Sequence, residues 1–257
     1  MRFLVEETSD GVSERRFTHG DVPGVLWTPT GTVGGRPLVL LGHGGGGHSR
    51  TPVLAARARR LVTDYGFAVV AVDTPGHGDR PRSARDAWFE AEIGALLAAG
   101  EPLSRGIAEH TAALAERAVP EWRAVLDALG GLDEVGAEHP VGYWGLSLAS
   151  VVGLPLVAAE PRITAAVLGL AGHESLTGAA ARVTVPVRFV LQWDDELVER
   201  TAGFALFDAL GSAEKTLHAN PGGHAGVPAA ELESAARFLE RHLRAPVAPG
   251  LPAGSVF

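Results

Sequence analysis

VGYWGLSLAS, residues 141–150, is an apolar run that carries Ser147 with the very small residues Gly145 and Ala149 two positions to either side. The apolar part suits a buried strand, and Gly145-Leu146-Ser147-Leu148-Ala149 has the form GxSxA, one methyl from the GxSxG of a sharp strand-to-helix turn. Such a turn carries its serine at positive φ with the hydroxyl held out of the sheet. A bulky side chain two residues to either side would strike the flanking backbone, and Gly145 and Ala149 avoid that collision.

Upstream, residues 37–41 (PLVLL) are apolar and lead into His43 and four glycines, and residues 52–65 follow at helical spacing. Residues 67–72 (FAVVAV) form a second β-branched run that ends at Asp73. Strand, loop, helix and strand in that order make a βαβ unit, which implies a parallel sheet covered on both faces. The pattern repeats with buried strands predicted at 141–144, 163–168 and 187–191 and a shorter last strand at 216–219. Helices are predicted at 148–159, 200–210 and 229–243. The expected class is therefore α/β, a mostly parallel central sheet with helices on both faces. The first thirty-odd residues alternate around 16–17 and 22–28, with turn residues Gly20, Asp21 and Pro29, and predict a two-stranded hairpin. Residues 79–138 form a long insert with helices around 88–99 and 107–129, packed on the sheet or partly capping the site, and Pro120 starts or kinks one of them. Residues 245–257, rich in Pro, Ala and Gly, read as a linker or arm. A single domain over 1–257 is expected.

A serine hydroxyl is a weak nucleophile until a base takes its proton, and the base works best when a carboxylate holds it in one tautomer. In a parallel sheet such groups collect at the C-terminal ends of strands. The strand at 187–191 leads to Trp193-Asp194-Asp195-Glu196, which offers two acids, Asp194 and Asp195. The last short strand leads through Gly222-Gly223 to His224, so the chain order is Ser, Asp, His. His218 is the weaker base because it lies within that strand. Two N–H donors are needed for the oxyanion of acyl transfer. Leu148, directly after the serine, supplies one, and the loop His43-Gly44-Gly45-Gly46-Gly47-His48 supplies the other, most plausibly from Gly45. His43 and His48 are poorly spaced for a metal and read as loop supports, with His43 bonding backbone behind the donors. His77 is expected to stabilise a turn. Trp88, Trp122, Trp144 and Trp193 read as core or pocket wall, the last two nearest the chemistry by sequence.

Composition narrows the classes. The chain has 257 residues, no cysteine and a formal net charge of −8 without a basic run, so nucleic acid is not an expected partner, and thiolate metal sites, disulfides and a cysteine nucleophile are excluded. The N-terminus has no positively charged region followed by a long apolar segment, and no run approaches the roughly 20 apolar residues of a membrane span. A cytoplasmic location is the expectation.

Five stretches together resemble the α/β-hydrolase superfamily: HGGGGH at 43–48, DTPGHGDR at 73–80, GLSLA at 145–149, WDDELV at 193–198 and GGH at 222–224. They span nearly the whole chain. The compact size and glycine-rich loop look like the esterase and dienelactone-hydrolase-like branch. The chain departs from the dienelactone hydrolases of that branch in lacking a cysteine nucleophile, so their lactone substrate does not carry over, and in having Ala149 where the superfamily usually has glycine. The superfamily's acid commonly sits three residues before a valine. Here Asp195 stands so before Val198, which favours Asp195 over Asp194.

The expectation is a serine hydrolase of a small ester, thioester or lactone, with Ser147, Asp195 and His224 catalytic and Gly45 and Leu148 holding the oxyanion. His43, Gly44, Gly145 and Ala149 support them. No cofactor or metal is expected, the oligomeric state is open between monomer and homodimer, and activity should fall as the histidine protonates below roughly pH 6 to 7. Acyl transfer, peptide cleavage and C–C hydrolysis use the same groups. Gly42 to Gly47 also satisfies GxGxxG, with Asp73 as a late acidic partner, so a dinucleotide-binding oxidoreductase is a rival, and a hydrolase fold without catalysis is another. Neither explains WDDELV and GGH together.

Overall fold

The structure is a computed structural model that describes residues 1–31, 34–101, 105–136 and 138–244. The arm expected at 245–257 lies outside the described residues. Among the described residues nine strands form one sheet: β1 (Arg2–Ser9), β2 (Val12–His19), β3 (Val22–Pro29), β4 (Leu38–Leu41), β5 (Ala68–Val72), β6 (Val141–Trp144), β7 (Ile163–Gly169), β8 (Val187–Gln192) and β9 (Lys215–Asn220). Their order is β1-β2-β3-β5-β4-β6-β7-β8-β9. The first three are an antiparallel meander that joins β5, and every pairing from β5 to β9 is parallel.

The predicted N-terminal hairpin is thus a three-stranded meander. β1 is exposed at seven of its eight positions, so it has no apolar alternation to read. The glycine loop in consequence follows the fourth strand.

Seven helices of the described residues cover the sheet: α1 (Pro52–Tyr65), α2 (Ala84–Ala99), α3 (Arg105–Leu129), α4 (Leu148–Ala159), α5 (Thr177–Ala180), α6 (Arg200–Ala209) and α7 (Ala229–Arg244), with a 3-10 turn at Glu174–Leu176 before α5. Alternate residues of each buried strand feed two cores. Leu38, Leu40, Val70, Tyr143 and Leu168 pack under α3, α4 and α6, whereas Val39, Leu41, Val69, Trp144 and Val167 pack under α1 and α7. Pro120 sits inside α3. No helix of the described residues is long and apolar enough to cross a membrane.

From β4 the chain moves to one side to form β5, then returns past β4 to form β6 on the other. This reversal opens a crevice at the C-terminal ends of β4 and β6. Leu41 pairs with Trp144 there, so the glycine loop after β4 and the turn after β6 leave the sheet side by side.

Candidate active site

Ser147 sits at φ 60°, ψ −125°, between the end of β6 and the start of α4. A non-glycine residue in this region costs roughly 1–3 kcal/mol and persists only where its surroundings over-determine it. Ser147 N–H donates to the Gly169 carbonyl at 3.0 Å, and Ser150 N–H donates to the Ser147 carbonyl at 2.8 Å. The buried Ser150 hydroxyl accepts from Gly169 N–H at 2.8 Å and lies 2.8 and 2.6 Å from the Gly145 and Gly169 carbonyls. It therefore ties both sides of the turn to β7. A Cβ at Gly145 would stand 2.7 Å from the Ala149 carbonyl oxygen, so only glycine fits. Ala149 is accommodated because its neighbour across the crevice is Gly42, where a Cβ would come within 2.6 Å of the Ala149 methyl.

His224 Nε2 is 2.8 Å from Ser147 Oγ, and its Nδ1 is 2.9 Å from both carboxylate oxygens of Asp195. A carboxylate only accepts, so the proton of the neutral ring belongs on Nδ1, and the Nε2 lone pair is left to take the serine hydroxyl. Asp195 Oδ1 also accepts from Leu197 and Val198 N–H, each at 2.9 Å. Asp194 turns the other way, and its Oδ2 accepts from Gly222 N–H at 3.1 Å. The structure brings Asp195, not Asp194, to the histidine.

The loops after β8 and β9 are laced together by residues that sequence reasoning missed. Trp193 N–H donates to the Asn220 carbonyl at 2.7 Å and Asp194 N–H to that of Gly222 at 3.1 Å, which continues the β8–β9 pairing beyond the sheet. Gln192 Nε2 donates to the Pro221 and Gly223 carbonyls, and Glu196 Oε2 accepts from the backbone N–H of His224 at 2.9 Å. His218 remains on β9 beside Thr216 and Glu231, away from the serine.

Leu148 is the first residue of α4, where its N–H has no intrahelical carbonyl to reach. It lines one cavity with Gly45, Ser147 and His224. His43, 3% exposed, stands behind the glycine loop. Thr74 N–H donates to its Nε2 at 3.0 Å, and its Nδ1, protonated in that tautomer, donates to the Gly44 carbonyl at 2.9 Å. Burial pulls its pKa down to about 4, against the raising effect of the Gly44 bond, and the neighbouring His77 adds to the depression. A neutral His43 thus joins the glycine loop to the end of β5. His48 accepts from Arg50 N–H, and His77 lies 3.0 Å from the Pro75 carbonyl within its turn. Asp73 is fully buried and accepts from Ser49 and Asp79 N–H at 2.8 and 3.1 Å, so its carboxylate does not face outward toward a ribose. The dinucleotide rival loses its acidic partner.

The cavity above Ser147 measures about 280 Å³. Its roof comes from the insert, with Phe89 and Ile93 of α2 and Ile107 and Thr111 of α3, and its far wall from Leu170, His173 and Leu176. Phe89, Leu96, Ile107, Leu197 and Val198 form a small apolar core that rests this roof on the loop carrying Asp195. Asp86 and His110, both buried and 3.5 Å apart, join α2 to α3, and Arg80 grips Glu121 of α3 with two hydrogen bonds. Neither Trp144 nor Trp193 lines the cavity. Trp144 lies on the opposite face of the sheet and Trp193 is 45% exposed.

No protein-family model and no curated protein matches the chain. Among solved structures, a cold-adapted esterase from an Arctic intertidal metagenomic library is 35% identical over 95% of this chain and 100% of its own, with a TM-score of 0.77. An acetyl xylan esterase from Paenibacillus sp. R4 is 16% identical over 94% of this chain and 88% of its own, with a TM-score of 0.68. A dienelactone hydrolase from Anabaena variabilis ATCC 29413 is 18% identical over 89% of this chain and 96% of its own, with a TM-score of 0.59. The last two show a shared fold.

Proposed function

The chain belongs to the esterase branch of the α/β-hydrolase superfamily, and we propose that it hydrolyses a small carboxylic ester through an acyl-enzyme on Ser147. The observation that carries the proposal is the continuous hydrogen-bonded line from Ser147 Oγ through His224 to Asp195, anchored on a turn held at positive φ. The esterase activity named for the 35% identical relative supports the substrate class.

Ser147 Oγ attacks the ester carbonyl carbon while its proton passes to His224 Nε2. Asp195 stabilises the resulting imidazolium through Nδ1–H. The carbonyl oxygen gains negative charge between the N–H groups of Leu148 and Gly45, each worth about 2.7–4 kcal/mol of transition-state stabilisation by analogy with other oxyanion donors. Collapse of the intermediate breaks the C–O bond, and the departing alkoxide takes the proton from His224 as the alcohol. A water then gives its proton to His224 and attacks the acyl carbon. The serine recovers that proton as the carboxylic acid leaves. The largely apolar cavity suits an acyl or alcohol group of modest size.

The test is hydrolysis of p-nitrophenyl esters from acetate to decanoate by the wild type and Ser147→Ala in parallel. Turnover abolished in the variant is expected. Equal turnover in both would remove Ser147 from the chemistry.

A further inference from the structure

On the face of the sheet opposite Ser147, α1 and α7 enclose a second cavity of about 220 Å³ whose polar groups are out of balance. Arg57 projects from α1 into its wall, with its guanidinium carbon 5.0 Å from the centre of the Trp144 ring. Every other arginine that lines the cavity has an acidic partner: Arg60 pairs with Asp64 and Glu233. Arg57 has neither a carboxylate nor a carbonyl partner among the described residues. Arg57 is half-buried, and burial pushes its pKa down with no neighbouring carboxylate to raise it again. Trp144, 1% exposed, carries an indole N–H that is sealed from solvent and finds no acceptor.

The acid at the rim cannot serve them. Glu233 already accepts from Tyr65, Arg60 and Arg237. The unpartnered polar group that this wall presents is therefore the guanidinium of Arg57, a fork of N–H donors stacked on Trp144. Leu61, Leu232 and Ala236 supply apolar surface in the same cavity. A planar guanidinium matches a carboxylate in two-point geometry, and one uncompensated positive charge matches a monoanion better than a dianionic phosphate.

We propose that the α1–α7 cavity binds a small monocarboxylate with an apolar body, its carboxylate on Arg57 beside Trp144 and its hydrocarbon against Leu61, Leu232 and Ala236. The site lies behind the strand that carries the Ser147 turn and is independent of the esterase reading.

The experiment is a titration of the full chain with hexanoate, followed through the tryptophan indole signals in ¹H–¹⁵N spectra. The chain has five tryptophans, and Trp144→Phe assigns the relevant signal. Hexanoate should move the Trp144 signal in a saturable way. Acetate, which lacks the apolar body, 1-hexanol, which lacks the charge, and inorganic phosphate should each bind at least about tenfold more weakly, as should Arg57→Gln toward hexanoate, the loss expected for a charge-assisted pair. Hexanoate entering the cavity above Ser147 instead would move the signal equally in Arg57→Gln, and that result overturns the proposal. So does a wild-type signal that hexanoate leaves in place, or that hexanol moves as readily. The wild-type comparison of hexanoate with hexanol decides the matter even if Arg57→Gln does not fold.

Discussion

The floor and the roof of the cavity above Ser147 are built by opposite means. On the floor each side chain is fixed by directional bonds near 3 Å: His224 by Ser147 and Asp195, Asp195 by two backbone N–H groups, and His43 by two backbone groups of its own. The roof rests on the packing of Phe89, Leu96 and Ile107 against Leu197 and Val198, which tolerates changes of shape far better than a hydrogen bond tolerates changes of distance. This division implies that the floor sets the kind of reaction and the roof selects its substrate. Substitutions on the two surfaces should fail in different ways.

The largest effect is expected at Asp195. Asp195→Asn removes the acceptor that keeps the His224 proton on Nδ1, and kcat should fall by about 10⁴, as when a triad acid is replaced elsewhere. Asp194→Asn retains an oxygen for Gly222 N–H and should stay within about threefold, well below the roughly 1.4 kcal/mol of a tenfold change. Steady-state kinetics on one p-nitrophenyl ester compares the two. Equal losses would mean that the floor depends on the stability of the loop rather than on one oriented carboxylate.

The asymmetry between floor and roof also governs what could be read in the sequence. The 141–144 run, the 148–159 helix and the serine turn were legible because they are local: β-branched or aromatic runs bounded by glycine, with the constraint on Gly145 acting across four residues. Strand ends pointed to the pair Asp194 and Asp195 and to His224, and the resemblance to the superfamily favoured Asp195 of the two. Ser150, Gln192 and Glu196 were not legible as supports, because each has a partner 19 to 31 positions away that only the β6–β7 or β8–β9 register brings within reach. Trp144 was placed near the chemistry by sequence distance alone. The period-2 alternation of its strand, with Val141 and Tyr143 on one face and Trp144 on the other, was the available signal that it points away. β1 carried no signal because both of its faces are exposed.

His43 separates the floor's stability from its chemistry. His43 binds a proton near pH 4 in the folded chain and near the ordinary 6.5 when unfolded. Between those values the unfolded state holds more protons, so His43 favours folding above about pH 6.5, and that contribution fades as the pH falls toward 4. At about 1.4 kcal/mol per pH unit the loss approaches 3 kcal/mol. Burial depresses His110, His218 and His242 in the same direction, so denaturant midpoints of the wild type and His43→Gln must be compared across pH 4 to 7. The wild type should show the steeper loss on acidification. Parallel curves would mean that His43 is not held neutral behind the glycine loop.

A smaller effect on the floor is expected at Glu196. Its hydrogen bond among the described residues goes to the backbone N–H of His224, so it is a positioning residue. Glu196→Ala should lower kcat about tenfold with little change in KM, near the low end for a hydrogen bond to a charged group. Glu196→Gln keeps an acceptor oxygen and should restore most of the rate. If glutamine fails to rescue, the charge of Glu196 matters to the imidazolium rather than its grip on the loop.

The smallest change is expected on the roof, and its form matters more than its size. Ile93 faces the cavity from α2 and is only partly buried, so truncation opens space without leaving a sealed void in the core. A buried methylene is worth about 0.8 kcal/mol, and partial exposure of the side chain reduces what a longer acyl group can recover there. Ile93→Ala should shift the ratio of kcat/KM between long and short p-nitrophenyl esters toward the longer by about threefold to tenfold, while kcat on the acetate stays within about twofold. A uniform fall across the series would show that α2 helps hold the floor in place, and the separation of reaction from selection would fail at that point. A shift confined to the longer esters would locate the acyl chain beneath α2 and leave the line from Ser147 to Asp195 untouched.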